Sequence, residues 1–400
     1  MSGSSTYNIL MYSHDTYGLG HIRRSMAIAN HLRDDNTNVL ILTGSPIVGR
    51  FTFPEQVDFV RIPGMIKKTN EDYQSLSIRI EPEQALNIRT NIILATAQTF
   101  QPNLFIVDKE PHGLKREVLP TLEWLKKESP HTTSVLGLRD ILDESEVIQK
   151  DWQEKDVYSS LARLYDQIWV YGNQEIYDPV SQYHIPEEIQ DKVTFTGYIP
   201  RKSLPESTRA KYRRQYRILD DDIFILITTG GGGDGSEVLE HYLAMHDYYP
   251  TSLPLKTIMI TGPFMPKNKR LEIERHARLL GIKTLQFHNN IEEIMHAADL
   301  VISMGGYNTI CEILTYKTPA LIIPREWPRR EQLIRATCLR ERGLLDFIPW
   351  TEVTPQLLRD KIFSILGDRN RYIKAMCNFK LSGLDTMLAE LQHYKMTAGV

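Results

Sequence analysis

Cysteine is scarce. Three residues in 400, Cys311, Cys338 and Cys377, lie far apart, with no CxxC pair and no paired histidine spacing. That excludes a disulfide framework and a structural zinc site and fits a reducing compartment. Long apolar runs are missing as well, since nothing in the chain approaches the ~20 residues that a membrane helix requires. Charge of one sign does not dominate either: 47 Lys and Arg against 50 Asp and Glu leave a formal net charge of −3, so nucleic acid is not an expected partner. There is no low-complexity segment and no short-period repeat. The polar opening Met1–Tyr7 lacks the basic start and apolar core of a secretory leader. A cytoplasmic chain is expected, with peripheral contact to the inner face of a membrane left open.

What is present is an ordinary globular composition, 42% apolar and 24% charged, in a chain longer than one core usually spans. Short apolar runs alternate with longer amphipathic stretches, the pattern of parallel sheets covered by helices. The first half reads as strands at 7–12, 38–43, 58–62, 104–108, 133–137 and 167–170, with helices at 22–32, 83–99 and 114–127 and a last strand in 192–197. The polar, basic stretch 209–218 reads as a surface bridge. The pattern then restarts with a strand at 223–228, a helix at 236–248, a strand at 256–261, a helix at 268–280, a strand at 284–287, a short helix at 291–297 and a strand from Leu300. The expected domains are 1–200, 201–368 and a helical tail, 369–400, that packs back toward the first. Open α/β domains bind ligands at the carboxyl ends of their strands.

Three such strand ends carry chemistry. In Tyr12-Ser-His-Asp-Thr-Tyr-Gly-Leu-Gly-His-Ile22, Gly18 and Gly20 permit close approach of a substrate, and His14, Asp15 and His21 cluster. An imidazole suits proton abstraction from a hydroxyl near neutral pH, with an aspartate to orient it; a local hydrogen bond is the other reading for His21. Arg23 and Arg24 stand in a first helical turn, where cations are mildly disfavoured, so either an anion lies nearby or both are solvated. In Thr228-Thr-Gly-Gly-Gly-Gly-Asp-Gly-Ser236, the glycines Gly230, Gly231, Gly232 and Gly233 free the backbone to wrap a diphosphate. The segment lacks the Lys-Ser/Thr of a P-loop. Ala298-Asp-Leu-Val-Ile-Ser-Met-Gly-Gly-Tyr-Asn-Thr-Ile-Cys-Glu312 is a strand, two glycines (Gly305, Gly306) and a helix start, again a site for an anion. Glu312 either accepts from a ribose or closes a capping box with Thr309. Phe287 stacks on a nucleobase or belongs to the core. The polar stretch Pro324–Gln332 opens another helix on the same side as Gly306 and Glu312. Asp108, Glu110, Arg139 and Asp140 are weaker candidates, facing an acceptor or filling turn and cap roles.

These motifs resemble a family. The chain looks like a glycosyltransferase of the GT-B fold, two Rossmann-like domains facing across a cleft, nearest the MurG-like and monogalactosyldiacylglycerol-synthase-like group. More narrowly, it is similar to a bacterial branch of predicted glycosyltransferases that open with Tyr-Ser-His-Asp-Thr-x-Gly-Leu-Gly-His. The likeness covers most of the chain and is strongest from Ala298 to Glu341. It implies that His21 lies near the transferred sugar and that Glu312 binds the ribose. Gly306 and Thr309 would then belong to the turn beside the diphosphate. Phe287 and the backbone of His288 would meet uracil, Gln332 the donor sugar and Arg201 the phosphates, with Gly230–Gly233 replacing a Gly-Gly-Ser loop. The chain departs from the MurG pattern in its first loop, in Glu331, which replaces the first of two glutamines, and through most of the acceptor half. The resemblance therefore implies inverting, metal-independent transfer from a nucleotide-sugar, most simply a UDP-sugar, to an unknown acceptor that is a glycan, a lipid or a small molecule. His21 is the base, with His14 or Asp15 assisting, and no cofactor is expected. A nucleotide-sugar 2-epimerase or hydrolase, or a non-catalytic nucleotide-sugar-binding subunit, are the alternatives.

Overall fold

The structure is a computed structural model that describes residues 6–15, 20–67, 73–249 and 254–398. It divides into two compact units: 1–140, 145–199 and 382–400 form the first, and 141–144 with 200–381 form the second. The return to the first unit therefore falls at Ser382 rather than at 369, and 369–381 stay with the second unit.

In the first unit the strands are β1 (Tyr7–Ser13), β2 (Thr37–Thr43), β3 (Val57–Arg61), β4 (Met65–Lys67), β5 (Tyr73–Ser75), β6 (Leu104–Asp108), β7 (Thr133–Arg139), β8 (Gln167–Tyr171) and β9 (Val193–Phe195). Seven of them form one sheet in the order β3-β2-β1-β6-β7-β8-β9, with every neighbouring pair parallel; β4 and β5 make a separate antiparallel ladder. The chain starts in an inner strand, builds outward to β3, then restarts on the other side of β1 with β6. That reversal leaves a crevice between the carboxyl ends of β1 and β6. The central strands are covered on both faces, so they read as unbroken apolar runs; β6, Leu-Phe-Ile-Val-Asp, is buried throughout.

The helix expected over 114–127 is interrupted. A 3-10 turn covers Leu114–Arg116 and the helix proper runs Leu119–Glu128, with Pro120 in its first turn, where a missing N–H costs nothing. The last helix, Gly383–Ala398, belongs to this unit. Met387 and Leu391 are buried, the Tyr394 ring lies parallel to Trp169 at 6.4 Å between centroids, and Lys395 Nζ is 2.7 Å from Asp34.

The second unit repeats the plan with β10 (Ile223–Thr228), β11 (Leu255–Ile260), β12 (Lys283–Leu285), β13 (Leu300–Ser303), β14 (Ala320–Ile322) and β15 (Asp346–Phe347). Their order is β12-β11-β10-β13-β14-β15, all parallel, so the reversal lies between β10 and β13. The stretch read as a surface bridge is instead a helix, Glu206–Gln215, packed on this unit. Its Arg209 and Arg213 pair with Asp299 at 2.6 and 3.0 Å, and Asp299 also accepts from the Phe224 N–H. Among the described residues no helix is long and apolar enough to cross a membrane.

Candidate functional site

In the first unit the site gathers where β1 and β6 end. Tyr12 and Val107 are register partners, so the residues that follow them emerge side by side. From β6 comes Asp108, and from the start of the helix Gly20–Leu32 come His21, its second residue, and Arg24, its fifth. His21 Nδ1 is 2.5 Å from Asp108 Oδ2. Arg24 donates from Nε to Oδ1 (2.9 Å) and from Nη2 to both carboxylate oxygens (2.7 Å each). The partner that orients His21 is therefore Asp108 and not Asp15.

Asp15 has a different task. Its carboxylate accepts from the Ile22 N–H at 3.1 Å and from the Thr43 hydroxyl at 2.5 Å, which ties the start of the helix to the end of β2. Burial pushes its carboxyl up to about 6. His14 is buried against the edge of the His21 ring, 5.6 Å between centroids. Its Nδ1 lies 3.3 Å from the Tyr12 hydroxyl, which donates to Glu117 within a buried Arg89–Glu117 pair. Both side chains thus serve the walls of the site. Thr16–Leu19, including Gly18, lie outside the described residues.

Protonation follows from these contacts. Burial alone would raise the Asp108 carboxyl, but Arg24 and His21 hold it well below the usual carboxylate range. An ionised carboxylate only accepts, so Nδ1 of His21 carries the hydrogen and Nε2 the lone pair. Burial lowers the His21 imidazole to about 4, with Arg24 and Lys109 adding to the shift and Asp108 opposing it. The ring is neutral at pH 7, the state a general base needs. Arg24 is 2% exposed, so the reading of it as solvated charge is corrected: it stands one turn into the helix, and the anion beside it is Asp108.

In the second unit, two glycine turns leave the carboxyl ends of β10 and β13, where Thr228 and Ser303 are register partners. Gly232 has φ +83°, and a Cβ there would fall 2.1 Å from the Thr261 carbonyl oxygen; Gly230 and Gly233 border open space. The tract is thus held against the next loop at one glycine and left clear at two others. Gly305 has φ +74° and its Cβ position is 2.7 Å from Ile322 Cγ2, which lets the chain turn into the helix Tyr307–Tyr316.

Gly306 is the N-cap of that helix, and no side chain caps it. Thr309 is then the third helical residue and Glu312 the sixth, too far along for a capping box; that reading falls. Arg201 lies along the same helix. Its N–H reaches Thr315 Oγ1 (3.0 Å), its Nη2 donates to Asn308 (2.8 Å) and its Nε is 3.9 Å from Glu312 Oε1. The side chains of Arg201 and Glu312 are 6% and 2% exposed. Nε and Nη1 of Arg201 are buried without a hydrogen-bond partner among the described residues.

Phe287 lies beyond β12, which stops at Leu285 rather than running to 287 as expected, and it is exposed; the core reading is removed. His288 Nδ1 accepts from the Asn290 N–H at 3.1 Å. Gln332 accepts from the Arg325 N–H at 3.0 Å, leaving its amide nitrogen as the donor it can offer. Arg325, which the sequence did not single out, bridges Asp234 of the glycine loop and Glu331, at 2.9 Å to each.

Residues 225–390 match the glycosyltransferase family 28 C-terminal domain. That match takes in most of the second unit and runs on into 382–390 of the first. Among curated proteins, the UDP-N-acetylglucosamine--N-acetylmuramyl-(pentapeptide) pyrophosphoryl-undecaprenol N-acetylglucosamine transferase of Clostridium kluyveri is 37% identical over 97 residues, 23% of this chain and 28% of its own length. The chain thus spans under a third of that relative. Solved structures match over nearly the whole chain. MurG of Acinetobacter baumannii has a TM-score of 0.63 at 12% identity, covering 97% of this chain and 99% of its own. TcCGT1, solved in complex with UDP, has a TM-score of 0.68 at 10% identity, covering 98% and 100%. The fold is the two-domain Rossmann-like GT-B fold that these structures share. The family 28 match takes in the glycine turn at Gly305–Gly306, Glu312 and Gln332, while His21, Asp108 and Arg24 lie before it.

Proposed function

We propose that the protein is a glycosyltransferase that moves a sugar from a nucleotide-sugar, taken to be a UDP-sugar, to an acceptor hydroxyl with inversion. The observation that carries this reading is a neutral His21, oriented by Asp108, at the strand reversal of the first unit. Nε2 of His21 takes the hydroxyl proton as the acceptor oxygen attacks the anomeric carbon. The bond from that carbon to the diphosphate breaks on the opposite face, which inverts the centre.

The second unit supplies the donor side. The glycine turns, the uncapped start of the helix Tyr307–Tyr316 and the buried guanidinium of Arg201 meet the charge that develops on the leaving diphosphate. On this reading no metal ion is needed for that task. Glu312 accepts from the ribose, Phe287 and the His288 backbone meet the base, and Gln332 donates to the sugar.

A panel of nucleotide-sugars offered with and without glycan, lipid and small-molecule acceptors tests the reading. Nucleoside diphosphate is expected only when an acceptor is present, and His21→Ala is expected to abolish its release while leaving UDP affinity within about twofold. Acceptor-independent 2-epimerisation or hydrolysis would overturn the transferase reading, and full activity in His21→Ala would remove the base.

A further inference from the structure

The Asp108 carboxylate has two cationic or potentially cationic neighbours, and its geometry divides it unequally. Arg24 takes three hydrogen bonds, touching both oxygens, while His21 takes one, to Oδ2. Arg24 is itself fixed: it is buried in the helix Gly20–Leu32, and its guanidinium carbon lies 5.8 Å from the ring centroid of Tyr171 at the end of β8. Its Nη2 is also 3.1 Å from His21 Nδ1. A proton added to the ring would therefore place imidazolium directly beside guanidinium.

From this we infer that Arg24 is a positioning residue for the base. By occupying most of the Asp108 carboxylate, it fixes His21 as the Nδ1–H tautomer and withholds from the ring the full negative charge that would otherwise keep it protonated. This rests on the reading of His21 as the proton acceptor. Without Arg24, a buried His–Asp pair readily becomes an imidazolium–carboxylate pair, whose Nε2 has no lone pair to offer.

The other charged groups around the ring do not replace this function. Lys109, beside Asp108, is paired with Glu110 at 2.7 Å; His14 is held by Tyr12; Asp15 is occupied by Thr43 and the Ile22 N–H. Lys109 also opposes ring protonation, but Arg24 touches both the carboxylate and the imidazole, and it is this double contact that matters.

Histidine imidazole NMR of the 15N-labelled full chain tests the inference, with His21→Gln identifying the resonance. Wild-type His21 is expected to stay neutral and Nδ1-protonated down to about pH 4. In Arg24→Met the ring is expected to bind its proton at least about tenfold more tightly, an upward shift of about one pH unit or more. Arg24→Lys, which keeps the charge and loses the fork, is expected to titrate low but to mix the two neutral tautomers. A folded Arg24→Met protein with unchanged titration would overturn the inference.

If Arg24→Met does not fold, the double variant Arg24→Met/Asp108→Asn removes the stranded carboxylate. Because Asp108→Asn can by itself disturb the tautomer, that protein is compared with Asp108→Asn alone: a His21 tautomer mixture that differs between the two supports the inference, and identical spectra overturn it. A merely structural arginine would change stability and leave these spectra alone. No sugar transfer enters the readout, so its failure and the failure of the transferase reading are told apart.

Discussion

His21 and Asp108 are 87 residues apart, and the bond between them is the contact on which the proposed base rests. The sequence singles out His21 because the loop after a first parallel strand usually holds function. It does not single out the partner: Asp15 is the carboxylate at hand locally, whereas the true contact depends on β6 lying beside β1. Arg24 left a trace as a cation in an unfavourable helical turn, but only the buried carboxylate explains it. Asp108→Asn is expected to lower turnover by about a hundredfold, because the amide can stabilise the wrong tautomer. Steady-state kinetics with the identified donor check this, and activity within twofold of wild type would return Asp108 to a structural role. The sign of the pH effect follows from the proposal that His21 acts as a base and must be unprotonated to do so. In wild type, kcat/KM is expected to hold steady through neutral pH and to fall only as pH drops toward about 4, provided that the fold persists. Glu312→Ala is expected to weaken UDP binding by about tenfold, or ~1.4 kcal/mol, read by calorimetry; unchanged affinity would remove Glu312 from the nucleotide site.

Elements built from apolar runs were legible almost to the residue. β6, β10 and the helices Ser236–Tyr248 and Ile291–Ala297 match their expected spans, because buried parallel strands and amphipathic helices impose strong periodicity. Glu206–Gln215 was missed for the opposite reason. It has one buried residue, Tyr212, and is held by ion pairs to Asp299, which periodicity cannot register. The glycine tract was legible as a turn, yet which glycine is obligatory depends on the approach of Thr261. Gly232→Val is expected to destabilise the second unit by at least about 1–2 kcal/mol, the cost of a left-handed residue before the clash is counted. Chemical denaturation would show it, and a stability equal to wild type would mean that the loop rearranges freely. Leu391→Ala, in the buried face of the last helix, is expected to cost about 2–5 kcal/mol.

For the whole molecule, two sheets with the same order of reversal explain why the candidate residues fall at two strand-end crevices. That duplication was legible, while the acceptor was not, because no motif in the first half names one. UDP at about 100 times its Kd is expected to add about 2.7 kcal/mol of stability by mass action, seen as a rise in Tm. A panel in which no nucleoside diphosphate raises Tm would count against the donor assignment. The last nineteen residues carry a further consequence, since Ser382–Val400 complete the first unit after 200–381 have passed. On the ribosome, the unit whose synthesis begins first is the one that finishes last. Until its final helix emerges, Trp169 lacks the ring that lies against it, so the nascent first unit is an unfinished body waiting on the domain inserted within it.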